Sequence, residues 1–275
     1  MNTLPKLIAT DLDHTLLGPE GLVSERTRNA LDAARSAGIH VVPVTARQPV
    51  GLRQIAENAG FTEWALCSNG AFGIHLETSE LLFTNETPPH TLELITTRLN
   101  ERIPGLKYAS VYDGGEGFVA EEGYAHLAAF IDHKRDPRHM GGAPLEAVIE
   151  HPSLKLVVRH PEIAPHDIAH ELSGLGLPGF EVTLSGAPFV EIMAENVTKA
   201  SGLEELCGHL GVAQSEVIAF GDARNDIEMI EWAGHGVAVA NALESVMQVA
   251  DEVTASNAED GVALVIERVL AQHHR

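Results

Sequence analysis

Cysteine is scarce in this chain, and so are positive charge and long apolar runs. Only two cysteines occur, Cys67 and Cys207, each inside an apolar pattern. Thiols so placed read as buried groups in a reducing compartment, not as a disulfide framework. Lys and Arg number 18 against 39 Asp and Glu, a net charge of −21. Such a surface repels nucleic acid and anionic membranes, so neither is an expected partner. It also repels phosphates at long range. A phosphate site here needs a cation, a few bases and backbone N–H groups to become locally attractive. No apolar stretch reaches the ~18 residues that span a bilayer. The N-terminus lacks the basic and apolar regions of a secretion signal, and the expected location is cytoplasmic. The 15 histidines include no tight metal-ligand spacing; His133, His139 and His160 are scattered and His273-His274 is terminal, so zinc is not expected. Gly114-Gly115-x-Gly117 does not sit in the strand–turn–helix context of a dinucleotide fingerprint.

What the chain does have is alternation. Its 275 residues, 44% of them hydrophobic, suggest about two domains with sizeable cores. Lys6–Asp11 reads as a buried strand. Ser24 caps a helical pattern of Thr27, Ala30, Leu31 and Ala34, which Gly38 stops. Strand 39–45, a helix through Leu52, Ile55, Ala56 and Ala59, and strand Trp64–Ser68 follow, then Asn69-Gly70 as a turn and a hairpin of 73–77 with 81–85. Strands alternating with helices predict a doubly wound parallel sheet of the Rossmann-like α/β class. The middle differs, with a helix over 91–102, five strand-like segments and a helix over 163–172. That pattern predicts an inserted α+β domain at 87–188, dividing a core of 1–86 and 189–275. The parallel pattern resumes with a helix from Thr198-Lys199, a strand ending in Gly221-Asp222, a strand over 236–240 with Asn241 as helix cap, and a closing helix through Val262, Val265, Ile266 and Val269.

Polar groups gather at the ends of these elements. Ile8–Leu17 carries Asp11, Asp13 and Thr15 at alternate positions after an apolar run. Ligands of open α/β sheets bind at the carboxyl ends of the strands. Two carboxylates delivered there are costly to desolvate unless a cation or a proton neutralises one. Thr45 ends the second strand, Lys199 opens a helix, and Asp222 and Asp226 follow another strand.

In that order, Asp-x-Asp-x-Thr, a strand-end Thr, a lone Lys and Gly-Asp-x-x-Asn-Asp, the chain resembles the haloacid dehalogenase superfamily. The insert lies between the Thr and the Lys, as in the type IIB, Cof-like branch with a C2-type cap. Asn69-Gly70-Ala71, Glu191-Ile192, Val197-Thr198-Lys199, Asn225-Asp226, and Asn257 with Asp260-Gly261 look like that branch too. The resemblance implies Mg²⁺-dependent hydrolysis of a small phosphorylated metabolite, a sugar phosphate among the candidates, through an aspartyl-phosphate. The alternatives are a phosphomutase and a non-catalytic phospho-ligand sensor. By the resemblance, Asp11 is the nucleophile and Asp13 the general acid and base. Asp11, the Asp13 carbonyl and Asp222 hold Mg²⁺, with Asp226 nearby or acting through water. Thr45, Ala46, Lys199 and Asn225 meet the phosphate. The implied partner is the substrate alone, in a monomer or homodimer.

Two departures stand out. His14 replaces the family's usual Gly, and Thr45-Ala46-Arg47 replaces Thr-Gly-Arg; a Cβ at either place is strained if φ is positive. Within the insert, Arg135 and Arg138 lie in the basic run 133–139, and Lys155 and Arg159 share one strand face. One of these groups is expected to bind the polar or anionic body of the substrate; the other reading of the run is a solvated basic loop.

Overall fold

In the computed structural model residues 4–273 are described, so His274 of the terminal pair lies outside them. The chain divides into two compact units, one of residues 1–46, 52–83 and 198–275, the other of 47–51 and 84–197.

The first half of the core runs β1 (Leu7–Thr10), α1 (Glu25–Ser36), β2 (His40–Pro43), α2 (Pro49–Ala59), β3 (Trp64–Cys67), β4 (Phe72–His75) and β5 (Leu81–Thr84). The insert follows with α3 (Pro89–Arg102), β6 (Lys107–Tyr112), β7 (Gly117–Ala120), α4 (Phe130–His133), α5 (Leu145–Val148), β8 (Lys155–Arg159), α6 (Pro165–Ser173), β9 (Phe180–Thr183) and β10 (Val190–Ala194). The core resumes as α7 (Lys199–Leu210), β11 (Val217–Gly221), α8 (Ile227–Trp232), β12 (His235–Ala238), α9 (Glu244–Met247), β13 (Glu252–Val253) and α10 (Gly261–His273).

The core sheet has the order β13-β12-β11-β1-β2, and its pairs are all parallel. β1, Leu-Ile-Ala-Thr, is buried along its whole length, as a strand covered on both faces of a parallel sheet must be. Leu7 and Ala9 pack with Val42, Leu203 and Leu206 in the main apolar cluster. α1 starts where Ser24 accepts a hydrogen bond from Thr27 N at 3.0 Å and ends before Gly38, whose φ is +80°. β3 pairs antiparallel with β4 and touches β2's extension through a parallel Val44–Leu66 bridge.

The insert sheet has the order β7-β6-β8-β10-β9, with antiparallel pairs. One face packs Leu156, Val158, Val190 and Ile192 against α3 and α6 residues such as Leu92, Ile95 and Leu172. The expected division at 86/87 and 188/189 therefore differs from that of the contacts. β10 lies inside the insert sheet, with Ile192 opposite Leu156 and Val182, and the later division comes at 197/198. An apolar five-residue strand reads alike in either sheet, so the local sequence did not settle which one holds it. Among the described residues no helix is long and apolar enough to cross a membrane.

Candidate active site

Parallel pairing aligns the carboxyl ends of β1, β2 and β11. Thr10 stands opposite both Phe220 and Pro43, and Asp11 N donates to Phe220 O at 3.0 Å. Asp11 therefore leaves the sheet beside Gly221-Asp222. Thr45 leaves it after β2, with its N donating to Leu66 O and its O accepting from Asn69 N, both at 2.9 Å. Beyond Asp11 the chain makes one loose turn, Leu12–Leu16, closed by Leu17 N donating to Leu12 O at 2.9 Å.

Lys199 is delivered by the first turn of α7. Thr198 caps that helix, accepting from Ser201 N at 3.1 Å, while Ser201 Oγ accepts from Thr198 N at 2.9 Å. The turn at Ser68–Gly70 lies against it so closely that a Cβ on Gly70 would strike Thr198 O, and one on Gly202 would strike Gly70. Lys199 is 1% exposed, and its Nζ donates to Asp11 Oδ1 and to Asp226 Oδ1, each at 2.6 Å. Asp226 reaches this position because its loop folds back over Gly221, where a Cβ would collide with it. Its other oxygen, Oδ2, accepts from Asp222 N at 3.0 Å and Ala223 N at 2.9 Å. Asp222 Oδ1 accepts from Thr15 Oγ1 at 2.6 Å.

The charges do not balance. Asp11, Asp222 and Asp226 each offer an oxygen within 4.8 Å of the others, and the ammonium of Lys199 is bound to Asp11 and Asp226. Burial pushes the Asp11 carboxyl up to about 8; Lys199 opposes that rise, and Asp226 and Asp222 add to it. Burial also raises Asp222 above the ordinary carboxylate range, against the Thr15 hydrogen bond. Burial acts to lower Lys199, but Asp11 and Asp226 outweigh it and hold the ammonium above the usual lysine range. A cluster of hard oxygen donors with excess negative charge suits a divalent cation of the Mg²⁺ kind. Asp226 already spends both oxygens on Lys199 and the loop amides, which leaves Asp11 and Asp222 as the side chains fitted to hold a cation directly.

A sequence profile described as haloacid dehalogenase-like hydrolase matches residues 8–266. The chain belongs to that family. It is an enzyme of the phosphatase kind. A 5-amino-6-(5-phospho-D-ribitylamino)uracil phosphatase of Bacillus subtilis (strain 168) is 30% identical over 267 residues, covering 95% of this chain and 94% of that protein. A pyridoxal phosphate phosphatase of Escherichia coli (strain K12) is 29% identical over 272 residues, covering 95% and 97%. A solved sugar phosphatase of haloacid dehalogenase subclass IIB shares the fold with a TM-score of 0.80 at 22% identity, covering 96% of this chain and 98% of that one. Family membership and the parallel core with an inserted antiparallel sheet agree with the subclass IIB, Cof-like resemblance.

Against the family pattern, His14 adopts φ +64°, so a residue with a Cβ is left-handed at the position where the family usually has Gly. Ala46 is not among the positive-φ residues, and Thr-Ala-Arg carries no strain of that kind. Asp13 is exposed, and its carboxyl is not part of the three-residue cluster. Thr45 is buried. Asn225 uses its amide nitrogen on Asn69 Oδ1 at 3.0 Å. Thr15's hold on Asp222 was not foreseen. Nor was that of Asn241, which donates from Nδ2 to His14 O at 2.8 Å and accepts from Asn257 N at 2.9 Å. Asn257 Nδ2 donates to Leu17 O at 2.8 Å. Asn241 is not a helix cap; α9 begins after Leu243. These asparagines fasten the turn that carries Asp13, across more than 200 residues of chain, and the one sequence signal was Asn257 within a family-like motif.

In the insert, the basic groups are mostly answered. Lys155 Nζ meets Glu191 Oε1 at 2.6 Å, Arg159 meets Asp132 at 2.6 Å, and Arg138 pairs with Asp136 at the surface. Arg135 donates to the carbonyls of Gly115 and Glu116 and lies over the Phe118 ring.

Proposed function

We propose that the protein is a Mg²⁺-dependent phosphatase of small phosphorylated metabolites, working through an aspartyl-phosphate on Asp11. The observation that supports this most is the position of Asp11. Its Oδ1 is held by Lys199, while its Oδ2 accepts no hydrogen bond from the described residues. An oxygen with unengaged lone pairs at a strand end supports the reading that it attacks phosphorus in line. Bound at Asp11 and Asp222, Mg²⁺ would neutralise charge on the transferred oxygens and favour the ionised form of Asp11.

The chain's own groups supply the rest. Lys199 holds the Asp11 rotamer and offers positive charge to the phosphoryl oxygens. Thr45 and the amides around Ala46 donate hydrogen bonds to them, with Asn225 assisting. Asp13 protonates the departing oxygen of the substrate. It then deprotonates the water that attacks phosphorus, releasing phosphate and restoring the Asp11 carboxylate. The relatives' names span a phosphoribityl compound, pyridoxal phosphate and a sugar phosphate, which supports a small phosphomonoester without choosing among them. We place the protein in the cytoplasm, on its two buried free thiols. We read it as a monomer or homodimer whose partner is its substrate, without nucleic acid or membrane.

The reading is tested with Asp13→Asn and an aryl phosphate. Without the base, the phosphoryl group should remain on the enzyme, adding the mass of one phosphoryl group to the peptide that contains Asp11. Turnover at the wild-type rate with no modified peptide would contradict it.

A further inference from the structure

The turn after β3 holds a buried hydroxyl that the mechanism above does not use. Ser68 is 0% exposed, and its Oγ has no hydrogen-bond partner among the described residues. Buried hydroxyls are normally satisfied, because an orphan pays its desolvation with nothing in return. The backbone around it is strained as well. Ser68, Asn69 and Gly70 are left-handed in succession, with φ of +48°, +56° and +89°. Only the glycine adopts that region freely, and the other two are strained by their Cβ atoms.

The core nevertheless enforces this conformation from three sides. Asn69 N donates to Thr45 O at 2.9 Å. Asn69 Oδ1 accepts from Asn225 at 3.0 Å. Gly70 is clamped against Thr198 O and Gly202, at the helix start that delivers Lys199. Three residues assigned above to the phosphoryl group, Thr45, Asn225 and Lys199, are thus bound to, or adjacent to residues bound to, one strained turn. Asn225 Oδ1 in the same network is also buried and without a partner.

From this we infer that Ser68 is a further phosphoryl-contact residue, whose hydroxyl donates a hydrogen bond to an oxygen of the bound phosphate. The inference rests on the phosphatase reading and adds a contact to it. An orphan hydroxyl on a strained turn opposes folding, and a ligand oxygen is the acceptor that would answer it. Ser68 is buried as Asp11 and Thr45 are, at 0% exposed against 6% and 1%, and its turn is bonded to Thr45 through Asn69 N.

The test uses the full-length protein with Ser68→Ala and Ser68→Gly. Both remove the hydroxyl, and the glycine also relieves the backbone. Each should melt no lower than wild type, because an unsatisfied group has been removed. Each should nonetheless lose about tenfold or more in kcat/KM for an aryl phosphate. Each should also weaken binding of inorganic phosphate, measured by calorimetry with Mg²⁺ present, by a similar factor. Wild-type kinetics and phosphate affinity in both variants would overturn the inference. So would parallel losses of activity and melting temperature, which indicate a structural role. Failure of the phosphatase reading is a separate result: wild type itself would release no phosphate from any monoester, while phosphate binding would still report on Ser68.

Discussion

Among the described residues two lysines are buried, Lys155 and Lys199, and they sit in opposite electrostatic situations. In the insert, Lys155 on β8 meets Glu191 on β10 at 2.6 Å, and on the same strand Arg159 meets Asp132 at 2.6 Å. Each cation has a carboxylate, and the antiparallel sheet carries these pairs without surplus charge. In the core, Lys199 faces Asp11 and Asp226 at 2.6 Å each, with Asp222 in the same cluster. One ammonium there serves three carboxylates. A balanced buried pair holds a structure in register and asks for nothing more. An unbalanced cluster asks for a cation or a proton, and that demand is what makes the core end a site.

The largest expected effect breaks the core side of this comparison. Asp11→Asn keeps the shape and removes the attacking charge, so phosphate release should fall by at least about 10⁴-fold. Above about pH 8, where Asp11 is ionised, its metal-free melting temperature should exceed that of the wild type, because one of the crowded charges has gone. Phosphate assays and melting curves on the same preparation check both.

Next comes the insert side. Lys155→Met leaves Glu191 buried beside an apolar group and should cost about 3–5 kcal/mol in chemical denaturation. Adding Glu191→Leu should recover most of that loss. A large loss in the double variant would mean that the pair is more than a balanced structural contact.

A smaller effect separates the two by pH. The Asp11 carboxyl stands at about 8 in the fold against an ordinary 3.8, so the folded protein binds that proton more tightly than the unfolded chain. The resulting stabilisation is present at low pH and is lost as pH rises through about 8. Asp222, also raised, has the same sign. Lys199 is raised above its ordinary 10.5, so its contribution persists through this window. The metal-free melting temperature should fall by a few degrees from about pH 6 to about pH 9, and saturating Mg²⁺ should flatten the slope. Melting curves across that range, with and without the ion, are the check.

The smallest effect belongs to the surface. Arg138, 85% exposed at its side chain and paired with Asp136, should leave both the melting temperature and the kinetics unchanged on replacement by alanine, because water and salt screen an exposed pair.

The same contrast explains what could be read in advance. Asp11, Thr45, Lys199 and Asp222 were legible because each ends or opens an element with its own periodicity, and parallel strands bring such ends together. The supports were not legible. Thr15 meets Asp222 across 207 positions and Asn241 meets His14 across 227; contacts that long leave no local pattern. β10 reads as one of the middle strands yet falls beyond the expected boundary at 188, and only its pairing with β8 and β9 gives it to the insert sheet. The pairing of Lys155 with Glu191 depends on that same strand. Ser68 reads from sequence as the end of a strand, and only the geometry exposes its unanswered hydroxyl.

The claim that the unbalanced cluster is a cation site is tested most directly by titrating Mg²⁺ into the wild type and Asp222→Asn near pH 7, in two buffers of different ionisation enthalpy. The wild type should bind one Mg²⁺ and release up to about one proton as Asp11 ionises. Asp222→Asn should bind at least about tenfold more weakly. Equal binding by both proteins, with no proton released, would contradict the account.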